Sequence, residues 1–297
     1  MKKWLPLLLL MLSFPSFSQE KMVNVNGIDH HLLTKGFEKR KPGSPVLIFE
    51  NGMGMGSGNW NTVFDELSKV APVVAYDRQN IEKSGKIYQL PTPRRVADNL
   101  KGILGELKIA PPYVLVGHSM GGVYIRAFAG YYPDDVAGLV FVDPADFTET
   151  KDDWNQIFRT IGVPEKRIDE MIYQRLYVAS KVDSVRYGPW SEGQVLTELR
   201  KTDFAELSSL PVPQVPIYFF VGGKFEVPAD RRSKDYNHEL FFDVKNNSNM
   251  ARWKRFIHSS HKPGALIYLT NSGHFIHRDD APMVIGNIKM LIEGLEK

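Results

Sequence analysis

The sequence predicts an α/β fold: a mostly parallel central sheet with helices on both faces and a helical cap insertion over the sheet's carboxyl edge. Two observations carry this expectation. After Pro45, short apolar runs bounded by Gly, Pro or Asp alternate with longer segments of helical period, and alternating strand and helix build a parallel sheet covered on both faces. The alternation lapses from about 145 to 213, where helical stretches follow one another with no strand between them.

The elements can be taken in chain order. In KMVNVNGIDHHLLTKG, Asn26-Gly27 separates two short extended runs, the strongest short-range hairpin signal a sequence carries. Strands are expected at 46–49, 73–76, 113–116, 138–142, 217–221 and 265–269, and helices at 60–70, 92–107, 123–131 and 282–295. The second helix is the clearest, because Val96, Leu100, Ile103, Leu104 and Leu107 form one apolar stripe. Within the insertion, 154–161 and 168–177 read as helix. No repeat, low-complexity tract or polar linker interrupts the chain, so one domain with a cap is expected over 19–297.

The first eighteen residues have a different character. Lys2 and Lys3 precede an apolar run from Trp4 to Leu12, and the small residues Ser16 and Ser18 follow. This is the layout of a secretory signal peptide, with cleavage expected after Ser18 and an exported product, periplasmic or secreted. The apolar run is well short of the roughly 20 residues that span a bilayer. The chain has no cysteine, which excludes disulfides, thiolate metal sites, a thiol nucleophile and a lipid-modified amino-terminal cysteine. With 43% hydrophobic and 24% charged residues, the 297-residue chain is ordinary globular material. Its formal charge of +3 includes Lys2 and Lys3, leaving +1 after cleavage. Neither nucleic acid nor an anionic membrane is indicated as a partner, and stable membrane insertion is not expected.

Chemistry concentrates at YVLVGHSMGG. Gly117-His118-Ser119-Met120-Gly121 is a G-x-S-x-G placed directly after an apolar strand and before a helix, the context of a nucleophile elbow. Gly117 and Gly121 let strand and helix approach closely around the serine. Ser119 then stands exposed at a helix amino terminus, where the Met120 amide can donate to an oxyanion. A rival reading of GMGMGSG as a dinucleotide-binding loop fails on spacing, since Ser57 or Asn59 falls where the third glycine is needed. No H-E-x-x-H or G-K-[ST] is present, and no metal or organic cofactor is called for.

From about 46 to 291 the chain resembles the α/β-hydrolase superfamily, in particular its capped, esterase-like members. The resemblance rests on VLIFENGMGMGSGNW, VVAYDRQNIEKSG, YVLVGHSMGG, VAGLVFVDPA and NSGHFIHRDDAP. It implies Ser119 as nucleophile and His274, after the last strand, as its general base. The family usually supplies the third member, an acid, after the strand expected at 217–221. Where Gly-x-x-Asp would stand, this chain has Gly223-Lys224-Phe225-Glu226, so Glu226 is preferred on position. Asp143, at the end of the preceding strand, is the alternative, with Asp230 and Asp235 as outsiders. The second oxyanion amide, by resemblance, comes from the loop after the first parallel strand. There Asn51-Gly52 replaces the frequent His-Gly and points to Met53 N–H.

The other chemistry-bearing residues have plainer readings. His118, His258, His261 and His277 are read as packed or solvated, and Asp77-Arg78 as an ion-pair brace for the sheet edge. Trp154, Phe158, Tyr173, Tyr177, Tyr187 and Trp190 in the insertion are read first as packing and second as an acyl pocket. The expected activity is hydrolysis of a carboxylic ester, lactone or thioester of a small, partly apolar substrate through an acyl-enzyme. The rivals are a peptidase or carbon–carbon hydrolase with the same residues, and a non-catalytic small-ligand-binding protein on the same fold. The oligomeric state is not encoded in any of these features.

Overall fold

The structure is a computed structural model that describes residues 18–295; the expected signal peptide falls almost wholly outside the described residues. In chain order the elements are β1 (Gln19–Val25), β2 (Ile28–Lys35), β3 (Val46–Glu50), α1 (Asn61–Leu67), β4 (Val73–Tyr76), α2 (Pro93–Glu106), β5 (Tyr113–His118), α3 (Met120–Tyr131) and β6 (Val136–Val142). There follow α4 (Lys151–Thr160), α5 (Glu165–Tyr177), α6 (Tyr187–Lys201), α7 (Ala205–Ser209), β7 (Ile217–Gly222), α8 (His238–Ser259), β8 (Gly264–Leu269), α9 (Ile276–Asp279) and α10 (Ala281–Leu295).

The strands form one eight-stranded sheet in the order β1-β2-β4-β3-β5-β6-β7-β8. Only the hairpin end is antiparallel: β1 pairs with β2 and β2 with β4 in that sense, while β3 through β8 run parallel. Asn26 and Gly27 turn the hairpin with φ of 54° and 80°, the left-handed pair that a two-residue hairpin requires.

Side-chain alternation in the strands divides the core between the two faces. Val46 and Ile48 of β3 point to the face covered by α2, α3 and α8, with Leu100, Val123, Phe128 and Trp253. Leu47 and Phe49 point to the opposite face, against Val63 and Leu67 of α1 and Val284, Ile288 and Leu291 of α10. Strands β3, β4 and β5 are completely buried and β6 and β7 nearly so, whereas no residue of the edge strand β8 is buried.

Between β6 and β7 the chain builds α4–α7. The first of these helices starts on a capping box, in which Thr150 accepts from Asp153 N–H and the Asp153 carboxylate accepts from Thr150 N–H. Trp154 and Phe158 of α4, with Val163 and Ile168, make a small core separate from those on the sheet faces. It is closed by Phe241 from α8, whose ring centroid lies 5.3 Å from that of Phe158.

Four helices have no counterpart in the sequence reading: the short α7 and α9, and the longer α6 and 22-residue α8. In α8 the run Asn246-Asn247-Ser248-Asn249 interrupts any apolar stripe, and only Asn249, Arg252, Trp253 and Ile257 are buried. Its start is fixed by Asn237, whose side chain accepts from the amides of Glu239 and Leu240.

The close approach of α3 to β3 rests on a missing side chain. A Cβ on Gly121 would lie 2.3 Å from Glu50 O, whereas one on Gly105 of α2 would meet nothing within 4 Å. Gly121→Ala should therefore cost on the order of 1–3 kcal/mol by overpacking, while Gly105→Ala should be neutral or gain up to about 1 kcal/mol from helix propensity. Urea unfolding of the two variants checks the opposite signs.

Candidate active site

The carboxyl ends of β5, β6, β7 and β8 lie in sequence along the sheet, and the site's side chains come from the segments after β5, β6 and β8. Ser119 follows β5 with φ 52° and ψ −119°, between strand and helix. This left-handed conformation is costly for a residue with a Cβ, and hydrogen bonds on both sides hold it. Ser119 N–H donates to Val142 O at 3.2 Å, and Ser119 O accepts from the amides of Gly122 and Ala145, each at 2.9 Å. The turn is tight enough that a Cβ on Gly117 would fall 2.6 Å from Gly121 O. Met120 is the first residue of α3, so its N–H has no acceptor within the helix. Among the described residues neither Met120 N–H nor Met53 N–H donates to any protein group.

Asp143 follows β6, also at positive φ, 42°. Its N–H donates to Phe220 O at 2.9 Å, and its Oδ1 accepts from Gly222 N–H at 3.0 Å. The other oxygen, Oδ2, lies 2.6 Å from His274 Nδ1. Because a carboxylate only accepts here, Nδ1 carries the proton and Nε2 is left with its lone pair free to take another.

Glu226, the acid preferred on sequence position, does not meet the imidazole. Its Oε1 pairs with Lys224 Nζ at 2.8 Å, and its carboxylate rests over the Gly273 backbone, where an added Cβ would fall 2.0 Å from Oε2. The alternative, Asp143, is the carboxylate that the fold brings to His274. Asp230 and Asp235 are likewise elsewhere, with Asp235 on Arg167 at 2.8 Å. Among the described residues Ser119 Oγ has no hydrogen-bond partner.

Behind His274 stands a packed group that sequence reading treated as bystanders. His118 is fully buried; its Nε2 donates to His274 O at 3.0 Å, and its ring centroid is 4.7 Å from that of His274. Its Nδ1 then accepts from Asn59 Nδ2 at 3.5 Å. The Asn59 Oδ1 accepts from His277 Nε2 at 3.2 Å and from Arg278 Nη2 at 2.7 Å. Burial, together with the neighbouring His274 and His277, holds His118 well below the usual histidine range. Burial and the Arg278 charge push His277 down to about 4. Both therefore remain neutral where many histidines are charged. The adjacency of His118 to the serine in Gly117-His118-Ser119 was the available signal, but its partner is 156 positions away.

The loop after β3 is held from beneath by Arg78. The guanidinium donates to Glu50 at 2.6 Å, to Glu192 at 2.7 Å, and to the carbonyls of Asn51 and Gly52 at 2.8 Å each. It also lies 5.0 Å from the Tyr124 ring centroid. Glu192, on α6 of the cap, uses its second oxygen to accept from Gly54 N–H at 2.7 Å. Arg78, Glu50 and Glu192 are each 1% exposed at the side chain. Burial pushes the Glu50 carboxyl up, against the pull of Arg78 and the Tyr76 hydroxyl. Asp77 turns the other way, to His31 Nδ1 at 2.8 Å and Ser57 N–H at 2.6 Å. The cap aromatics divide: Trp154 and Phe158 are buried, while Tyr173 and Tyr177 are 58% and 50% exposed.

A polar hydroxyl at a strand-to-helix elbow, an imidazole on the last strand's loop, and a sheet that is antiparallel only at one end are found together in known proteins. The family model described as the alpha/beta hydrolase fold matches residues 45–162. The chain has the α/β-hydrolase fold. The structure of an epoxide hydrolase, CorEH, aligns over 94% of this chain and 100% of its own with a TM-score of 0.62 and 17% identity. That of carboxylesterase CesB from Bacillus subtilis aligns over 94% and 93% with a TM-score of 0.57 and 17% identity. In sequence, the uncharacterized protein YqjL of Bacillus subtilis is 31% identical over 127 residues, 42% of this chain and 48% of its own. The chain spans less than half the length of the curated relatives that it matches at 31–36% identity. Among the described residues no cluster of His, Asp or Glu is placed to hold a metal ion, and no helix is long and apolar enough to cross a membrane.

Two expectations about stability follow. Unfolded His277 takes up a proton as pH falls through its ordinary value of 6.5, whereas folded His277 does so only near 4. Between those limits the unfolded chain binds more protons, so stability drops with pH by on the order of 3 kcal/mol. His277→Phe should flatten that part of the profile, measured by urea unfolding at pH 7 and pH 4. Separately, Glu192→Ala leaves Arg78 buried beside an empty site and should cost about 3–5 kcal/mol. Removing the exposed partner of Lys224 by Glu226→Ala should change stability by less than about 1 kcal/mol, read in the same assay.

Proposed function

We propose that this protein is a serine hydrolase that cleaves a carboxylic ester, lactone or thioester through an acyl-enzyme. The observation that carries the reading is the 2.6 Å contact from His274 Nδ1 to Asp143 Oδ2. It fixes the tautomer that leaves Nε2 basic, on a residue whose carbonyl accepts from His118, the neighbour of Ser119 in sequence.

In this mechanism Ser119 Oγ attacks the substrate carbonyl carbon while His274 Nε2 takes the hydroxyl proton. Asp143 stays ionised and stabilises the imidazolium. The tetrahedral oxygen is held by the Met53 and Met120 amides, donors that need no rearrangement to receive it. Collapse expels the alcohol or thiol, which takes the proton back from His274. Water then repeats the sequence on the acyl-serine, releasing the acid. The neutral, buried His118 holds His274 by its carbonyl without competing for the proton.

Serine at the elbow, where epoxide-opening relatives would require a carboxylate, favours acyl transfer over the activity in the name of CorEH. The fold match with a carboxylesterase supports the same choice. The Met1–Ser18 leader makes export part of this proposal. Glycerophospholipid, peptide and carbon–carbon bond cleavage use the same residues and differ in what the cap admits.

A fluorophosphonate probe should label the wild-type chain and not Ser119→Ala, and Ser119→Ala should cut ester turnover by up to about a millionfold, as in the subtilisin precedent. Absence of labelling in folded wild type would instead favour a ligand-binding protein. Asp143→Asn should lower turnover by about 10⁴-fold through the wrong histidine tautomer, whereas Glu226→Gln should leave it within a few-fold. The reverse ranking would return the acid's role to Glu226.

A further inference from the structure

A cavity of about 410 Å³ lies inside the cap, between α4, α5, the carboxyl end of α6 and Tyr236. That volume is within the range of small-molecule sites. None of Ser119, Asp143, His274, Met53 or Met120 lines it. Its apolar wall is formed by Trp154, Phe158, Ile172, Leu176 and Tyr236, continuous with the cap's own small core.

The cations around this cavity are not equally compensated. Lys151 pairs with Asp203 at 3.0 Å, and Arg167 with Glu170 and Asp235 at 3.0 and 2.8 Å. Arg200 holds Glu149, a carboxylate only 3% exposed, at 2.8 Å. The Arg175 side chain, exposed to solvent, has no hydrogen bond or ion pair with protein among the described residues, although Glu149 attracts its charge. Its guanidinium instead sits 4.5 Å from the centroid of the Trp154 ring, at the cavity wall. Lys245 adds a second positive charge near the same ring, 5.5 Å from its centroid. An apolar cavity thus carries at its rim one solvent-accessible guanidinium with no protein hydrogen-bond partner, with Lys245 and Arg200 adding positive charge and Glu149 negative charge nearby.

We propose that this cavity binds a monoanionic amphiphile of the fatty-acid type, its tail against Phe158, Ile172 and Leu176 and its carboxylate on Arg175. Arginine presents paired N–H donors that match a carboxylate in a bidentate fashion, and this one guanidinium without a protein hydrogen-bond partner suits one negative group. A neutral alcohol of equal length satisfies the wall but not the guanidinium. A dianion meets the Glu149 carboxylate, which opposes a second negative charge. The inference does not depend on the chemistry at Ser119.

The test is calorimetric titration of the protein, and of its Ser119→Ala variant, with decanoate, decanol and decyltrimethylammonium below their micelle concentrations. Decanoate should bind saturably at one per chain, at least tenfold more tightly than decanol, with the cationic detergent weaker still. Arg175→Gln should weaken decanoate at least tenfold and leave decanol unchanged, and Arg175→Lys should fall between. Ile172→Trp, which fills the cavity, should abolish binding of both. Decanoate at saturation should not slow fluorophosphonate labelling of Ser119. Equal affinity for decanoate and decanol, indifference to Arg175→Gln, or absence of saturable binding would overturn the proposal. So would competition with labelling that persists in Ile172→Trp, since the ligand would then occupy the serine site.

Discussion

Arg78 is the constraint on which the rest of the site is built. One guanidinium, almost fully removed from water, joins the end of β3 through Glu50, the oxyanion loop through two carbonyls, and the cap through Glu192. Burying charge in this way is expensive unless each donor is matched. Here the two carboxylates and two carbonyls account for that matching. The same residues that neutralise Arg78 therefore set the path of the loop from Asn51 to Gly54. Glu192 makes the link two-sided, because it accepts from both Arg78 and the Gly54 amide. Cap and oxyanion loop are in consequence one mechanical unit.

A second constraint acts on the histidine side. His118, Asn59, His277 and Arg278 form a chain of buried hydrogen bonds ending on the His274 carbonyl. The histidines in that chain are kept neutral by burial, so their donor and acceptor roles stay fixed. The imidazole of His274 is thus supported from behind by groups that do not exchange protons with it. In front, it meets a carboxylate whose other oxygen is already occupied by Gly222 N–H.

Much of this was legible in the residues. Each parallel strand fell where a short apolar run was bounded by turn formers, because buried parallel strands need continuous apolar sequence. Ser119 was visible because an elbow imposes glycines at fixed, local offsets. Arg78 was readable as a brace from a single dipeptide. The acid was not, since Asp143 and His274 are 131 positions apart. Which strand end faces the imidazole is decided by how the sheet carries its loops, and position in the sequence favoured Glu226 over Asp143. The role of His118 was hidden for the same reason. Helix α8 escaped because its surface position leaves little apolar periodicity, and its central asparagines mimic a turn. Helix α6 carries Gly188, Pro189 and Gly193, which read as breakers until Glu192 is seen to be buried.

Asp143 also occupies an unusual station: it is the first residue of the long excursion that carries α4–α7. Had this carboxylate followed β7 instead, that excursion could be exchanged as a module without touching it. In this chain the carboxylate holding His274 is the module's own root, and Glu192 fastens its middle to the loop beneath. Transplanting a foreign cap at the nearest strand boundary would remove both at once. Redesign of the cap is accordingly confined to residues beyond that root and away from the fastening, where the contacts of His274 and of the loop beneath stay intact.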